Sequence, residues 1–541
     1  MKRLIPFLLV FLLIVPFVSS AQDNDTVVLA WPSQPDSLFP DFAVTATAGY
    51  VMVNLYSALV KVDLEGNTVG DLATGWEVSE DQLTWTFNLR DDVLWHDGEP
   101  FTAADVKYSY EIASNPEYAG GSFYPEILGA TERQSGEADE VSGVQVVDDY
   151  TISITTTEPN ALLLNTIAQR QILPEHVLVD VPAADLGGSV QATMPVGTGP
   201  YRLVEWRTDE ALVFEAFPEY YGGVANIPNY IWKVVPELAT HYTELVTGAA
   251  DISTSVTGDD FPAIQEEAGI ATLQLPGINL TDVNFNTSSP YFSDVRVRQA
   301  VAYALDRESM IAVGGGAGGL TTSQIHPSAP EYNADIEPYA YDPEQSAALL
   351  EEAGWIDADG DGVRESAGIE GLEDGTPFSV ELGTWSNPLY SLPAQIMQQN
   401  LEAVGIDVEI NVVDFNVYFA EFLTATNNPD FQFGLSGWFN FSVPTYFDLA
   451  GNFATDSDGY SRTLWSNERV DELLAAIPTI FDAEERNQAY YEAQEIIHDE
   501  LPYLYLTRLD NLIAYDENLV LPEIGNLRNL FVSIPLWSWS E

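Results

Sequence analysis

Apolar and polar residues alternate in several short stretches of this chain, and in a few others they follow helical spacing. Val27-Val28-Leu29-Ala30-Trp31 reads as a first strand, stopped by Pro32. Leu83, Trp85, Phe87 and Leu89 alternate with Thr84, Thr86 and Asn88, which predicts a strand with one buried face. Tyr150, Ile152 and Ile154 repeat the pattern, as do Tyr201 to Trp206 and the pair Val283 and Phe285. Helical spacing predicts elements from Tyr50 to Leu59, through Val106, Tyr108 and Tyr110, and over Val297, Ala300, Val301, Ala304 and Leu305. Thr102 with Asp105 is expected to cap the second of these, and Ser293 the third, which Asp306-Arg307 then closes. Asp97-Gly98 and Gly66-Asn67 mark turns.

The first twenty-one residues follow neither pattern. Lys2 and Arg3 precede an apolar run from Leu4 to Val18, and Ser19-Ser20-Ala21 offers small residues for cleavage, so a signal peptide at 1–21 is expected. No second apolar segment is long enough to span a bilayer. There is no cysteine, which excludes disulfides, thiol catalysis and a lipid-modified cysteine tether. A periplasmic or extracellular protein follows.

At 541 residues the chain is too long for one core, so two or three lobes are expected. Its 83 acidic residues face only 19 basic ones, a net charge of −64, and the lysines are Lys2, Lys61, Lys107 and Lys233. So negative a surface repels nucleic acid and anionic lipid. It suits a saline medium, where a short Debye length damps self-repulsion, with a lineage of generally acidic secreted proteins as the alternative.

Order and spacing become specific over residues 72–106. Trp76, Leu89-Arg90, Val93, Trp95, Asp97-Gly98, Phe101-Thr102-Ala103 and Asp105-Val106 resemble the signature segment of the family 5 extracellular solute-binding proteins, the peptide, nickel and oligosaccharide receptors of ABC importers. A second stretch, Asn284-Phe285-Asn286 through Ile311, resembles the family's next hallmark. A weaker match runs from Trp465-Ser466-Asn467 through Glu500-Leu501-Pro502. The resemblance implies an α/β, type II periplasmic-binding-protein fold of two mixed lobes with an extra inserted domain and a hinge. By matched segments, lobe 1 combines residues 22–60, 192–283 and 503–541. A domain at 61–191 is inserted to extend it, and lobe 2 is 284–502. Gly197-Thr198-Gly199-Pro200-Tyr201 stands where the chain leaves the insert. Two glycines and a proline there suit a tight crossover, and no lysine is near to make it a phosphate loop. The six residues from Gly314 to Gly319, five of them glycine, read as a flexible loop.

Implied partners are an oligopeptide or oligosaccharide ligand and membrane permease subunits, with a monomer expected and no enzyme activity. Peptide-binding relatives carry a Trp-x-x-Asp element whose aspartate meets the peptide amino terminus. Here the matching residues are Trp438, Phe439, Asn440 and Phe441, with Phe441 where the aspartate would stand. A phenyl ring offers an ammonium no charge-assisted bond. Trp438 matches the family's cleft tryptophan, and Trp31, Tyr124, Trp385 and Tyr390 fall in other candidate cleft segments. Flat rings with an asparagine suit sugar faces as well as apolar peptide side chains. The resemblance puts an oligopeptide first, as the family's commonest ligand, with an oligosaccharide as the alternative and nickel third because no histidine falls near Trp438.

The chain offers residues for two further chemistries. Asp357, Asp359 and Asp361 alternate like the start of a calcium loop, with a glycine at its sixth position and Glu365 at its ninth. Gly368 stands at the twelfth position in place of the bidentate glutamate, and Glu370 would need another geometry. An empty Asp/Gly-rich turn and a structural calcium both remain open. The five histidines, His96, His176, His241, His326 and His498, show no metal spacing, and neither HExxH nor GxSxG occurs. His96 reads as structural, and a secreted hydrolase is the rival class.

Overall fold

The strand patterns resolve into three main sheets, with three two-stranded ladders beside them, in a computed structural model, which describes residues 25–277, 279–314, 316–414, 417–418, 431–439, 445–455, 463–524 and 529–540. The expected signal peptide lies outside the described residues. Lobe 1 is built on a seven-stranded sheet. Its order is Ile270–Leu275, Asn511–Asp516, Ile252–Ser253, Thr26–Trp31, Asn229–Val234, Ala211–Ala216 and Tyr201–Arg207. The first strand runs parallel to both of its neighbours, from the pairing of Thr26 with Asn229 to that of Ala30 with Ser253. Lobe 2 holds a six-stranded sheet in the order Gly318–Leu320, Tyr503–Leu509, Asn279–Phe285, Phe433–Phe439, Ser379–Trp385 and Asp407–Val413. The inserted domain has four antiparallel strands, Ala73–Val78, Thr84–Leu89, Thr151–Thr155 and Val144–Asp148. Each sheet buries one apolar set: Val27, Leu29 and Trp232 in lobe 1, Val283, Phe285 and Leu382 in lobe 2, Trp85, Phe87 and Ile152 in the insert.

Sheet membership moves the crossings between lobes away from the expected 283/284 and 502/503. Asn279–Phe285 and Tyr503–Leu509 pair with each other inside lobe 2, so the chain crosses near 276–279 and 509–511. One sequence match begins inside Asn279–Phe285 and another ends just before Tyr503–Leu509, while the break falls at Pro276-Gly277. The two crossings pass so closely that a side chain on Gly277 would place its Cβ 1.8 Å from the Leu509 carbonyl oxygen.

The insert touches both lobes instead of only lengthening the first. Leu162 sits in a lobe 2 core with Leu280, Ala329 and Leu449. The Ala161 amide donates to the Pro478 carbonyl at 2.7 Å, and Trp85 stacks on Phe481.

Three local expectations are corrected by the fold. The first helix is Ala46–Met52, capped by Thr45, and not a helix from Tyr50 to Leu59. Asp294, whose carboxylate accepts from the Arg296 amide, caps Val295–Ala304 in place of Ser293. Within the glycine run, Gly318–Leu320 is an edge strand on Arg508 and Leu509. The Thr102–Asp105 capping box forms as expected.

His96 pins the Gly197–Pro200 crossover. Gly197 donates its amide to His96 Nδ1 at 3.2 Å, which leaves the proton on Nε2 to be given to the Gly199 carbonyl at 3.1 Å. A Cβ on Gly197 would lie 1.9 Å from the Leu55 carbonyl oxygen, so this passage takes only glycine. Burial lowers the His96 pKa to about 4. A depressed folded value contributes stability that is complete above the ordinary 6.5 and is lost as pH falls toward 4. The shift corresponds to about 3 kcal/mol. Thermal unfolding between pH 7 and pH 4 checks this: His96→Gln is expected to be less stable at pH 7 but to lose less on acidification than the parent.

Among the described residues five arginines, Arg170, Arg298, Arg307, Arg364 and Arg508, are buried. Four of them clamp carbonyls. Arg298 donates to Phe292 at 2.6 Å and to Glu500, the last residue of a long helix, at 2.9 Å. Arg364 donates to Val404 and Trp355, Arg307 to Tyr339, and Arg508 to Gln324.

Candidate functional site

The lobe 1 wall begins at the end of the first strand. Trp31 is half-buried, packs on Tyr50, Trp232 and Phe531 with ring centroids 5.4 Å away in each case, and donates its indole N–H to Thr47 Oγ1 at 3.0 Å. Beyond it, Asp36 accepts from the amides of Val44 and Thr45. This turn precedes the first helix and leaves the Val44 side chain 88% exposed.

Tyr124 is held from the insert by residues that the sequence patterns did not single out. Arg170 grips Asp41 through both terminal nitrogens, at 3.0 and 2.6 Å. Asp41 also accepts from Tyr118 Oη at 2.6 Å and Ser122 Oγ at 2.8 Å, and its carbonyl accepts from the Gly121 amide. The Arg170 guanidinium lies over the rings of Tyr124 and Tyr110, 5.6 and 6.0 Å from their centroids. One buried ion pair therefore ties the 118–124 segment to the 39–42 turn of lobe 1. Its members are 129 residues apart, so no local pattern announces them.

On lobe 2, Trp385 ends a strand and meets Tyr390 and Tyr418 at centroid distances of 3.9 and 4.8 Å. Tyr390 is 2% exposed, and a Cβ on Gly437 would strike its ring. Burial and the nearby Asp282 raise the Tyr390 hydroxyl above its ordinary pKa. Trp438 and Phe439 end the adjacent strand, opposite Leu280 and Asn279. Asn440 and Phe441 follow them and lie outside the described residues. The structure thus brings Trp385, Tyr390 and the Trp438 strand together in lobe 2, and Trp31 and Tyr124 onto the lobe 1 and insert side. Among the described residues, no ring contact joins the two sets.

The Asp357–Glu365 loop connects a two-stranded ladder, Trp355–Ile356 with Glu365–Ser366. Asp357, Asp359, Asp361 and Glu365 each place a carboxylate oxygen within 4.8 Å of the others. Loop amides hold them: Gly360 donates to Asp357 at 2.7 Å, Val363 to Asp361 at 2.8 Å and Ala358 to Glu365 at 2.9 Å. Glu365 converges with the three aspartates, while Glu370 is not part of the cluster.

No helix among the described residues is long and apolar enough to cross a membrane. Comparison with known proteins gives one consistent family. The chain is 28% identical over 517 residues to the dipeptide-binding protein of Escherichia coli, covering 91% of each. It is 26% identical over 475 residues to the oligopeptide-binding protein AppA of Bacillus subtilis, covering 86% of this chain and 82% of that one. The crystal structure of the ABC transporter substrate-binding protein CtaP from Listeria monocytogenes superposes with a TM-score of 0.80 at 20% identity, over 96% of this chain and all of that one. This likeness shows the periplasmic-binding-protein fold. Residues 67–460 match the profile of the bacterial extracellular solute-binding proteins, family 5 Middle. With well over half of its length matched, the chain belongs to the family 5 extracellular solute-binding proteins.

Proposed function

We propose that this protein is the extracytoplasmic solute-binding component of an ABC importer, that it captures an oligopeptide between its lobes, and that it hands the peptide on chemically unchanged. Family membership over residues 67–460 carries the reading, together with relatives named for dipeptide and oligopeptide binding. Two sheets joined through closely passing strands suit a hinge, and closure would favour the bound form that a permease distinguishes. Export by a signal peptide cleaved after Ala21, and action as a monomer, belong to this proposal.

The proposed contact surface is Trp31, Tyr124, Trp385, Trp438, Phe439, Asn440 and Phe441, with Tyr390 supporting Trp385 from behind. Trp438→Ala is expected to weaken peptide binding about 10- to 100-fold, the usual effect of truncating an aromatic anchor, while the melting curve stays in place. Calorimetric titration with a peptide library checks it, and unchanged affinity removes Trp438 from the site. Recovery of intact peptide after long incubation separates this reading from a secreted hydrolase. Phe441 in place of a carboxylate supports an oligosaccharide as the second reading for this cleft. Saturable binding of glycans and of no peptide would put it first.

For the Asp357–Glu365 loop, the convergence of four carboxylate oxygens favours structural calcium over an empty turn. Millimolar calcium is expected to raise the melting temperature where magnesium does not, and Asp359→Asn to remove the difference. Equal curves in both ions would leave the turn empty.

A further inference from the structure

A groove of about 930 Å³ opens where lobe 1, the inserted domain and lobe 2 meet, and none of Trp31, Tyr124, Trp385 or Tyr390 lines it. Its volume falls within the range of about 300–1,000 Å³ common for small-molecule sites. Asn54 lines it from lobe 1, Asn165, Gln169 and Gln171 from the insert, and Glu331 and Arg486 from lobe 2. Four of these six carry buried polar atoms without a protein partner: Asn54 Oδ1, Gln169 Nε2, Glu331 Oε2 and Arg486 Nε. Asn54 is 1% exposed and Glu331 7%. Buried polar atoms are nearly always hydrogen-bonded, and four exceptions around one groove point to a ligand.

The partners those atoms require define its chemistry. Asn54 and Glu331 need donors, whereas Gln169 and Arg486 need acceptors. Hydroxyl groups supply both from a single atom. Lys61 pairs with Asp71 at 3.0 Å, Glu331 and Arg486 contribute one charge of each sign, and Asp63 and Glu65 leave the lining acidic, which disfavours an anionic occupant. Planar amides are well suited to neighbouring hydroxyls.

We propose that this groove is a second binding site, distinct from the peptide cleft, for a neutral polyhydroxylated small molecule, a sugar or a polyol. Because its walls come from both lobes, the occupant bridges them and favours the closed form. Peptide and polyhydroxyl ligand then strengthen each other's binding by the same factor.

Calorimetric titration of the purified protein with trehalose, maltose and mannitol tests this, on the parent and on a Gln169→Ala, Glu331→Ala double variant. Neither side chain makes a hydrogen bond with the described residues, so the variant is expected to melt like the parent. Saturable binding of at least one probe is expected, weakened tenfold or more in the variant, with peptide affinity in the absence of the probe unchanged. Binding of the disaccharides alone identifies sugars, and equal binding of mannitol identifies polyols. No saturable heat with any probe, or equal affinity in the double variant, overturns the proposal. Peptide titration of the same samples reports separately on the cleft.

Discussion

Arg170→Met is expected to cost about 3–5 kcal/mol, the penalty for leaving one member of a buried ion pair behind. Asp41 would keep its hydrogen bonds from Tyr118 and Ser122 but lose both charge-assisted bonds, with its side chain only 4% exposed. Tyr124 would lose the guanidinium that lies over its ring. Differential scanning calorimetry should therefore show the insert melting earlier, and peptide affinity should fall in step as the 118–124 segment loosens from the 39–42 turn. Arg170→Met combined with Asp41→Asn should cost less than the two single changes added together, because the second removes the charge that the first leaves unpaired. Additive effects, or a melting curve that does not move, would show that the pair does not hold the insert.

The second large effect falls on the crossing between lobes. Gly277→Val asks for a branched side chain where even a Cβ would lie 1.8 Å from the Leu509 carbonyl oxygen. Both sides of that contact are backbone, so the two crossings must part. The expected cost is about 3–5 kcal/mol, at the severe end for a single substitution. Displaced crossings also change where the lobes pivot. Small-angle scattering is expected to show the parent contracting when peptide is added and the variant contracting little or not at all. Normal contraction at normal stability would place the pivot elsewhere.

What could be read along the chain was governed by local regularity. Thr84–Leu89, Thr151–Thr155 and Tyr201–Arg207 were visible because alternation is a property of the strand itself. The Thr102–Asp105 box was visible because its partners are three residues apart. Ser293 and Asp294 are both good caps at adjacent positions, and only the backbone separates them. Gly318–Leu320 looked like loop because its ladder partner, Tyr503–Leu509, arrives from far along the chain. The same limit hid Asp41 and Arg170, one acid among 83 and one arginine with no pattern around it. At the candidate cleft, sequence supplied the aromatic residues, and the structure showed which wall Trp31, Tyr124, Trp385 and Tyr390 stand on and what braces them.

Committing arginines to the interior has an effect at a distance. Cations spent on carbonyls such as those of Phe292, Val404 and Gln324 are withdrawn from the outer shell, where they would otherwise offset carboxylates. A solute approaching the protein feels that field before it meets any pocket. Cationic solutes are drawn in and anionic ones slowed, over about 10 Å at 0.1 M salt and over shorter range as salt rises. In dilute surroundings this amounts to a kinetic sieve operating ahead of recognition, and in brine the sieve fades and contact chemistry alone sorts the cargo.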